Sequence, residues 1–334
     1  MNGRCAVFAS ILLGCASPDI DFAALPDAPI AFVYRTLEET GRMVDEAQAR
    51  EKAARPGPED EFDIEIEGLE RLAGRRTEAD VVRDQQGHLA LYIARERRFE
   101  VAEALPRGAR PLDWSRDRTR LMFSAAQRNL LHLFEWIAAT GEVRQLTTGP
   151  GSQIDGCYGP DGAIAWVQLE GSGPRAGTRI WLRRRGEVPR EATEGPSDAQ
   201  PAWSPDGGRL LYTRFDARAG AVLHWLDPSG DASGSYGRGR SPIFSPDGEW
   251  IVYSGLTTEG WRLRRMRADG AGKRSLGSSG FEENDPAISP DGRYVAFTAM
   301  KDERTPVSRL FVRSFDGAAD RQLVISGSGW LPVW

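Results

Sequence analysis

Three residue types that build many active sites are nearly missing from this 334-residue chain. Its 43 basic residues include only three lysines (Lys52, Lys273, Lys301), and it has three histidines and three cysteines. With cysteines only at 5, 15 and 157, no disulfide framework can form. His88, His132 and His224 sit in three widely separated segments and show no metal-ligand spacing, so a shared metal site is not expected. No apolar run approaches the roughly 18 residues that a membrane-spanning helix needs. The nucleophile-elbow pattern Gly-x-Ser-x-Gly is absent, and no glycine-rich phosphate loop leads into a helix. A net charge of −5 argues against nucleic acid as a partner. Neither a cofactor nor a catalytic residue is indicated.

What the chain has is repetition. Trp203-Ser204-Pro205-Asp206-Gly207, Phe244-Ser245-Pro246-Asp247-Gly248 and Ile288-Ser289-Pro290-Asp291-Gly292 are full copies of one motif. Tyr158-Gly159-Pro160-Asp161-Gly162 and Trp114-Ser115-Arg116-Asp117 are altered copies, and Pro332-Val333-Trp334 is a truncated one. The aromatic or aliphatic anchors at 114, 158, 203, 244, 288 and 334 are spaced by 44, 45, 41, 44 and 46 residues. Ser-Pro-Asp-Gly suits a tight turn, proline presetting φ and glycine closing it. Strand chemistry follows each turn: Leu121 to Ser124, Leu210 to Thr213, Ile251 to Ser254, Val295 to Thr298. Two further strands per repeat complete a four-stranded unit that cannot cover its own apolar faces. This period and content predict an all-β propeller with four-stranded antiparallel blades.

These motifs resemble the TolB-like, WD-related propeller repeat of bacterial envelope proteins, over about residues 88–334. The resemblance implies a protein-interaction role. Nothing in the chain matches the separate N-terminal α/β domain of TolB proteins, which argues for a stand-alone protein and against a place in the Tol translocation system. Trp334 ends an inner strand with no outgoing strand after it, and Ile30 to Arg35 supplies that strand. The expectation is therefore six blades, one assembled from both chain ends, with seven as the alternative count if residues 79–83 begin an extra blade. An insertion at about 36–87 interrupts the assembled blade. Leu37 to Ala54 reads as a helix within it, stopped by Pro56-Gly57-Pro58, and Phe62 to Ile66 as a short strand.

The first residues carry a different signal. Arg4 precedes the apolar stretch Ala6 to Gly14, which ends in Leu12-Leu13-Gly14-Cys15. This resembles a bacterial lipobox, which implies acylation of Cys15 and anchoring at the periplasmic face of the outer membrane. The expected division is a signal peptide at 1–14, a tether at 15–28 and the propeller at 29–334. With Cys5 removed and Cys15 lipidated, Cys157 is left without a partner.

The repeated Asp117, Asp161, Asp206, Asp247 and Asp291 could form a ring of metal-binding carboxylates. Recurrence in every blade favours instead a structural role, each accepting hydrogen bonds in its own turn. The arginine stripes at 183–185 and at Arg262, Arg264, Arg265 and Arg267 could meet anionic lipid or lipopolysaccharide, but strand alternation instead leaves about half of them as solvated outer-blade positions. Positions just before each inner strand differ between blades, and there the connections converge on the channel mouth. Arg110, Asp155, Gln200, Arg240, Asn284 and Asp285 are the candidate partner-binding residues, with Arg238, Glu282 and Glu283 beside them. The expected function is non-enzymatic binding of a protein, or of peptidoglycan or another saccharide, by a monomeric propeller. The rival is a lyase or glycan-active hydrolase working at the same mouth.

Overall fold

The computed structural model describes residues 20–42, 87–170, 177–230, 232–300, 307–323, 325 and 327–334. Six four-stranded antiparallel sheets are arranged as the blades of one propeller. Blade one contains β4 (Arg110–Trp114), β5 (Arg120–Gln127), β6 (Leu130–Ile137) and β7 (Glu142–Gln145). Blades two to five follow as β8 (Ser152–Tyr158) to β11 (Arg190–Glu191), β12 (Asp198–Trp203) to β15 (Ser233–Arg238), β16 (Arg240–Phe244) to β19 (Arg274–Ser275) and β20 (Glu282–Ile288) to β23 (Asp320–Gln322). The sixth takes β1 (Ile30–Arg35), β2 (His88–Ile93) and β3 (Arg98–Val101) from one end of the chain and β24 (Ser328–Val333) from the other.

The second strand of each blade is buried on both faces, whereas all four residues of β7 are exposed. Apolar clusters form between blades rather than within them. Leu121 and Phe123 of blade one pack with Ala31 and Leu89 of the closing blade, and Val252 and Leu263 of blade four pack with Ile288 and Phe297 of blade five. A fully buried phenylalanine contributes about 1.5–3 kcal/mol, so each blade depends on its neighbours for its main stabilisation. One seam is ionic. Arg313 and Glu283, at 1% and 0% side-chain exposure, pair at 2.8 Å, and Asp320 meets the same guanidinium at 2.9 Å. Glu283 also accepts from the Leu263 and Ser279 N–H groups, so its charge is fully engaged.

Ring closure follows the expected route. Ala31, Val33, Tyr34 and Arg35 pair with Val333, Trp330, Gly329 and Ser328. β24 lies between blades five and one, which leaves no place for a seventh blade. The Trp334 indole donates to the Ala28 carbonyl at 3.1 Å and stacks near Tyr294. Residues 20–25 fall within the span read as a tether, yet Ile20, Phe22 and Leu25 are buried in the cluster that holds Trp334. Phe22 sits between the guanidiniums of Arg97 and Arg321, and Arg321 donates to the Ile20 carbonyl. Three apolar residues in that short stretch are enough to fix it onto the closing blade.

The insertion begins as a helix over 37–42. Thr36 and Glu39 cap it reciprocally: the Thr36 N–H donates to the Glu39 carboxylate at 3.0 Å and the Glu39 N–H to Thr36 Oγ1 at 3.1 Å. Glu39 also pairs with Arg107 and lies 3.6 Å from His88. The rest of the expected helix, the Phe62 to Ile66 strand, residues 79–83 and the Cys15 motif lie outside the described residues.

Candidate functional site

The Ser-Pro-Asp-Gly turns define one face of the ring. Ser204 Oγ donates to Asp206 at 2.6 Å, the Gly208 N–H donates to the same oxygen at 3.0 Å, and the Arg209 N–H donates to Ser204 Oγ at 2.8 Å. The turns at Asp117, Asp247 and Asp291 repeat this pattern. These bonds, the serine's first, hold Asp206 below the usual carboxylate range. Asp161 stands apart: its turn has Gly159 in the serine slot, and Asp161 takes a left-handed φ of 56°.

The inner strands of all six blades surround a central channel of about 910 Å³. The candidate residues do not precede these strands, as the sequence reading places them, but lie inside them. Each inner strand carries a bulge, seen as a break in its register with the second strand. In five blades a residue three positions before the anchor adopts positive φ: Asp155 (40°), Gln200 (56°), Ser241 (51°), Asp285 (51°) and Leu331 (52°). Blade one has Pro111 there, whose ring forbids that conformation. Five strained backbones repeated at one register position mark a built feature.

The bulge residues join the blades into a chain of hydrogen bonds across the channel wall. The Gln200 N–H approaches Asp155 Oδ2 at 3.4 Å. The Gln200 amide both donates to Ser241 Oγ and accepts from the Ser241 N–H, each at 2.9 Å. Ser241 Oγ reaches Asp285 Oδ1 at 3.4 Å, and the Leu331 N–H donates to Thr298 Oγ1 at 3.0 Å. Asp155, Gln200 and Asp285 are thus brought together with Ser241, and Arg110 lines the same channel. Arg240 and Asn284 are not. Arg240 donates to Asn284 Oδ1 at 3.1 and 2.7 Å and lies 4.0 Å above the Trp261 ring, bracing blade four against blade five. Glu283 is buried with Arg313, away from the channel.

Asp155 and Asp285 are half-buried in the channel wall. That burial pushes both carboxyls above their ordinary range, against the pull of Arg110 and Arg240 respectively. Asp113, one position before the Trp114 anchor, is pushed up to about 7, chiefly by burial. Its Oδ2 accepts the Tyr158 N–H at 2.8 Å, linking blades one and two. Cys157 and Tyr158 also line the channel; burial raises the Cys157 thiol and the Tyr158 phenol, so the thiol is protonated and a poor nucleophile.

Sequence reasoning missed Asp113, Cys157 and Ser241, although a signal existed. The column one before each anchor reads Asp113, Cys157, Ala202, Ile243, Ala287 and Val333, with a single acid among small or apolar residues. The column that supplied Asp155, Gln200 and Asp285 also names Ser241, its member in blade four. Of the histidines, His132 meets Gln153 at 2.6 Å and His224 stacks on Tyr212. Among the described residues no cluster of three metal-ligating side chains occurs.

The chain has the fold of the TolB propellers. It is 24% identical over 216 residues to an uncharacterized protein of Agrobacterium fabrum, covering 63% of this chain and 72% of the relative. A 65-residue stretch is 38% identical to the Tol-Pal system protein TolB of Gluconobacter oxydans, covering 19% of this chain and 14% of that protein. The crystal structure of TolB from Acinetobacter baumannii superposes with a TM-score of 0.64 at 14% identity, over 92% of this chain and 67% of that one. No protein-family model matches the chain.

Proposed function

We propose that this protein is a binding propeller of the bacterial envelope, held to the membrane through a lipid on Cys15, which captures an extended segment of a protein partner at the connection-side mouth of its channel. The observation that carries this reading is the bulge ring. Asp155, Gln200, Ser241 and Asp285 present polar atoms into the channel from four consecutive blades, on backbones strained to do so. A ring of fixed donors and acceptors around an open axis suits the alternating polar groups of a peptide backbone better than a compact ligand. Resemblance to TolB proteins supports an envelope location and a protein partner over cell-wall saccharide.

Binding is favoured over catalysis because the thiol and phenol that line the channel, Cys157 and Tyr158, are both kept protonated by burial. A nucleophile or general base would need such a group activated.

In vivo crosslinking from a photoreactive residue at position 200 tests the reading. One partner should be recovered in stoichiometric yield, and Asp155→Ala/Asp285→Ala should abolish that recovery. Undiminished capture by the double variant would move the site elsewhere. Cys15→Ser should shift the protein from the membrane to the soluble fraction; unchanged fractionation would remove the lipid anchor.

A further inference from the structure

Blade one breaks the turn pattern at two of its slots. Proline and glycine occupy the second and fourth positions at 205 and 207, 246 and 248, and 290 and 292, whereas blade one has Arg116 and Arg118. The turn nevertheless closes like the others: Ser115 Oγ donates to Asp117 at 2.6 Å, and the Arg118 N–H donates to the Ser115 carbonyl at 2.8 Å. Arg118 is thereby held at a φ of 59°, where Gly207, Gly248 and Gly292 take 76°, 76° and 71°. A residue with a Cβ is strained there, and nothing in the turn itself requires an arginine.

Both side chains line the channel at its turn-side end, opposite the bulge ring. The exposed Arg116 points over the opening, its Nη1 3.5 Å from the Pro205 carbonyl two blades away. The half-buried guanidinium of Arg118 makes no hydrogen bond or ion pair with a described residue. Asp113 attracts it without contact, and burial lowers its pKa. The surroundings offer little compensation. Pro160, Pro205, Pro246 and Pro290 line this end, and the carboxylates of Asp117, Asp206, Asp247 and Asp291 accept hydrogen bonds from their own turns.

We infer that Arg116 and Arg118 form an anion-binding site at the turn-side end of the channel, which takes a carboxylate or phosphate group presented from within it. Two planar N–H forks match an oxyanion with paired hydrogen bonds. The inference stands apart from the partner-capture reading, since no bulge-ring residue takes part.

Titration calorimetry of the full chain with inorganic phosphate and, separately, with a pentaglutamate peptide tests this. Arg116→Pro/Arg118→Gly restores the sequence of the other turns. Its fold is checked by a Tm at or above that of the parent, with a rise of roughly 2 °C expected from relief of the strained φ. The parent should bind at least one probe, the double variant at least about tenfold more weakly, a difference of about 1.4 kcal/mol. Arg144→Gln, which removes one positive charge from the exposed outer strand β7, should retain the parent's affinity. Tighter binding of phosphate points to a phosphorylated ligand, and tighter binding of pentaglutamate to a carboxylate. Equal affinity of parent and double variant, or no binding of either probe by the parent, overturns the site.

Discussion

Asp113 shows how one residue can couple the channel to pH. Burial within the ring opposes its charge more strongly than the Tyr158 N–H and Arg118 favour it, so the folded protein holds this proton up to about pH 7. The unfolded chain releases it near the ordinary carboxylate value of about 4. Between these two values the unfolded state binds fewer protons, so this group's contribution to stability falls as pH rises from about 4 to 7 and is level above. Asp113→Asn removes the titration and can keep an acceptor for the Tyr158 N–H. Allowing for screening by channel water, the variant should gain about 1–2 kcal/mol at pH 8 and much less at pH 4. Thermal melts across that range check it; a gain independent of pH would show that Asp113 is not the titrating group.

At the scale of the element, the turn of each repeat is also a contact between blades. Gly207 has a φ of 76°, and a Cβ built on it would lie 2.5 Å from Pro160 Cγ in the preceding turn. Gly248 has the same φ, but the corresponding approach to Pro205 is an ordinary 3.6 Å. Gly248→Ala should therefore cost about 1 kcal/mol for its backbone alone, and Gly207→Ala about 2–3 kcal/mol because proline must also move. Denaturant melts of both variants decide the point: equal losses would mean that the turns are not packed on one another. The inner strand teaches a related lesson. Alternation along a regular strand assigns side chains to faces, but the bulge reverses that assignment partway. Residue 240 consequently turns into the seam between blades while residue 241 faces the channel.

For the whole molecule, stability rests on joining two ends that lie far apart in sequence. Trp334 and Phe22 share one buried cluster, although neither is near the other in the chain. Trp334→Ala should cost about 3–5 kcal/mol and lower the Tm on the order of 10 °C. Phe22→Ala should lower it less, because part of that ring meets the flexible Arg97 and Arg321 side chains. The two losses should not add in the double variant, since both open the same seam. Full additivity would show that the N-terminal stretch and the closing strand are held independently.

The recurring Ser-Pro-Asp-Gly sentence, at its period of 41 to 46 residues, was by itself enough to determine the propeller and the use of both chain ends to close the ring, while the choice of six blades over seven came from the placement of β24. Those features are set by local turn chemistry and by apolar faces that only a neighbouring repeat can bury, and both are written in linear order. Tertiary structure decided which of the candidate residues reach the channel and which turn away from it. Which of two adjacent residues faces the axis depends on a bulge, and a carboxyl's charge depends on how much protein surrounds it. Neither has a signature in residue spacing. The altered copy at Ser115-Arg116-Asp117-Arg118 lies between the two cases: its departure is plain in the sequence, but only the ring shows that both arginines line the channel.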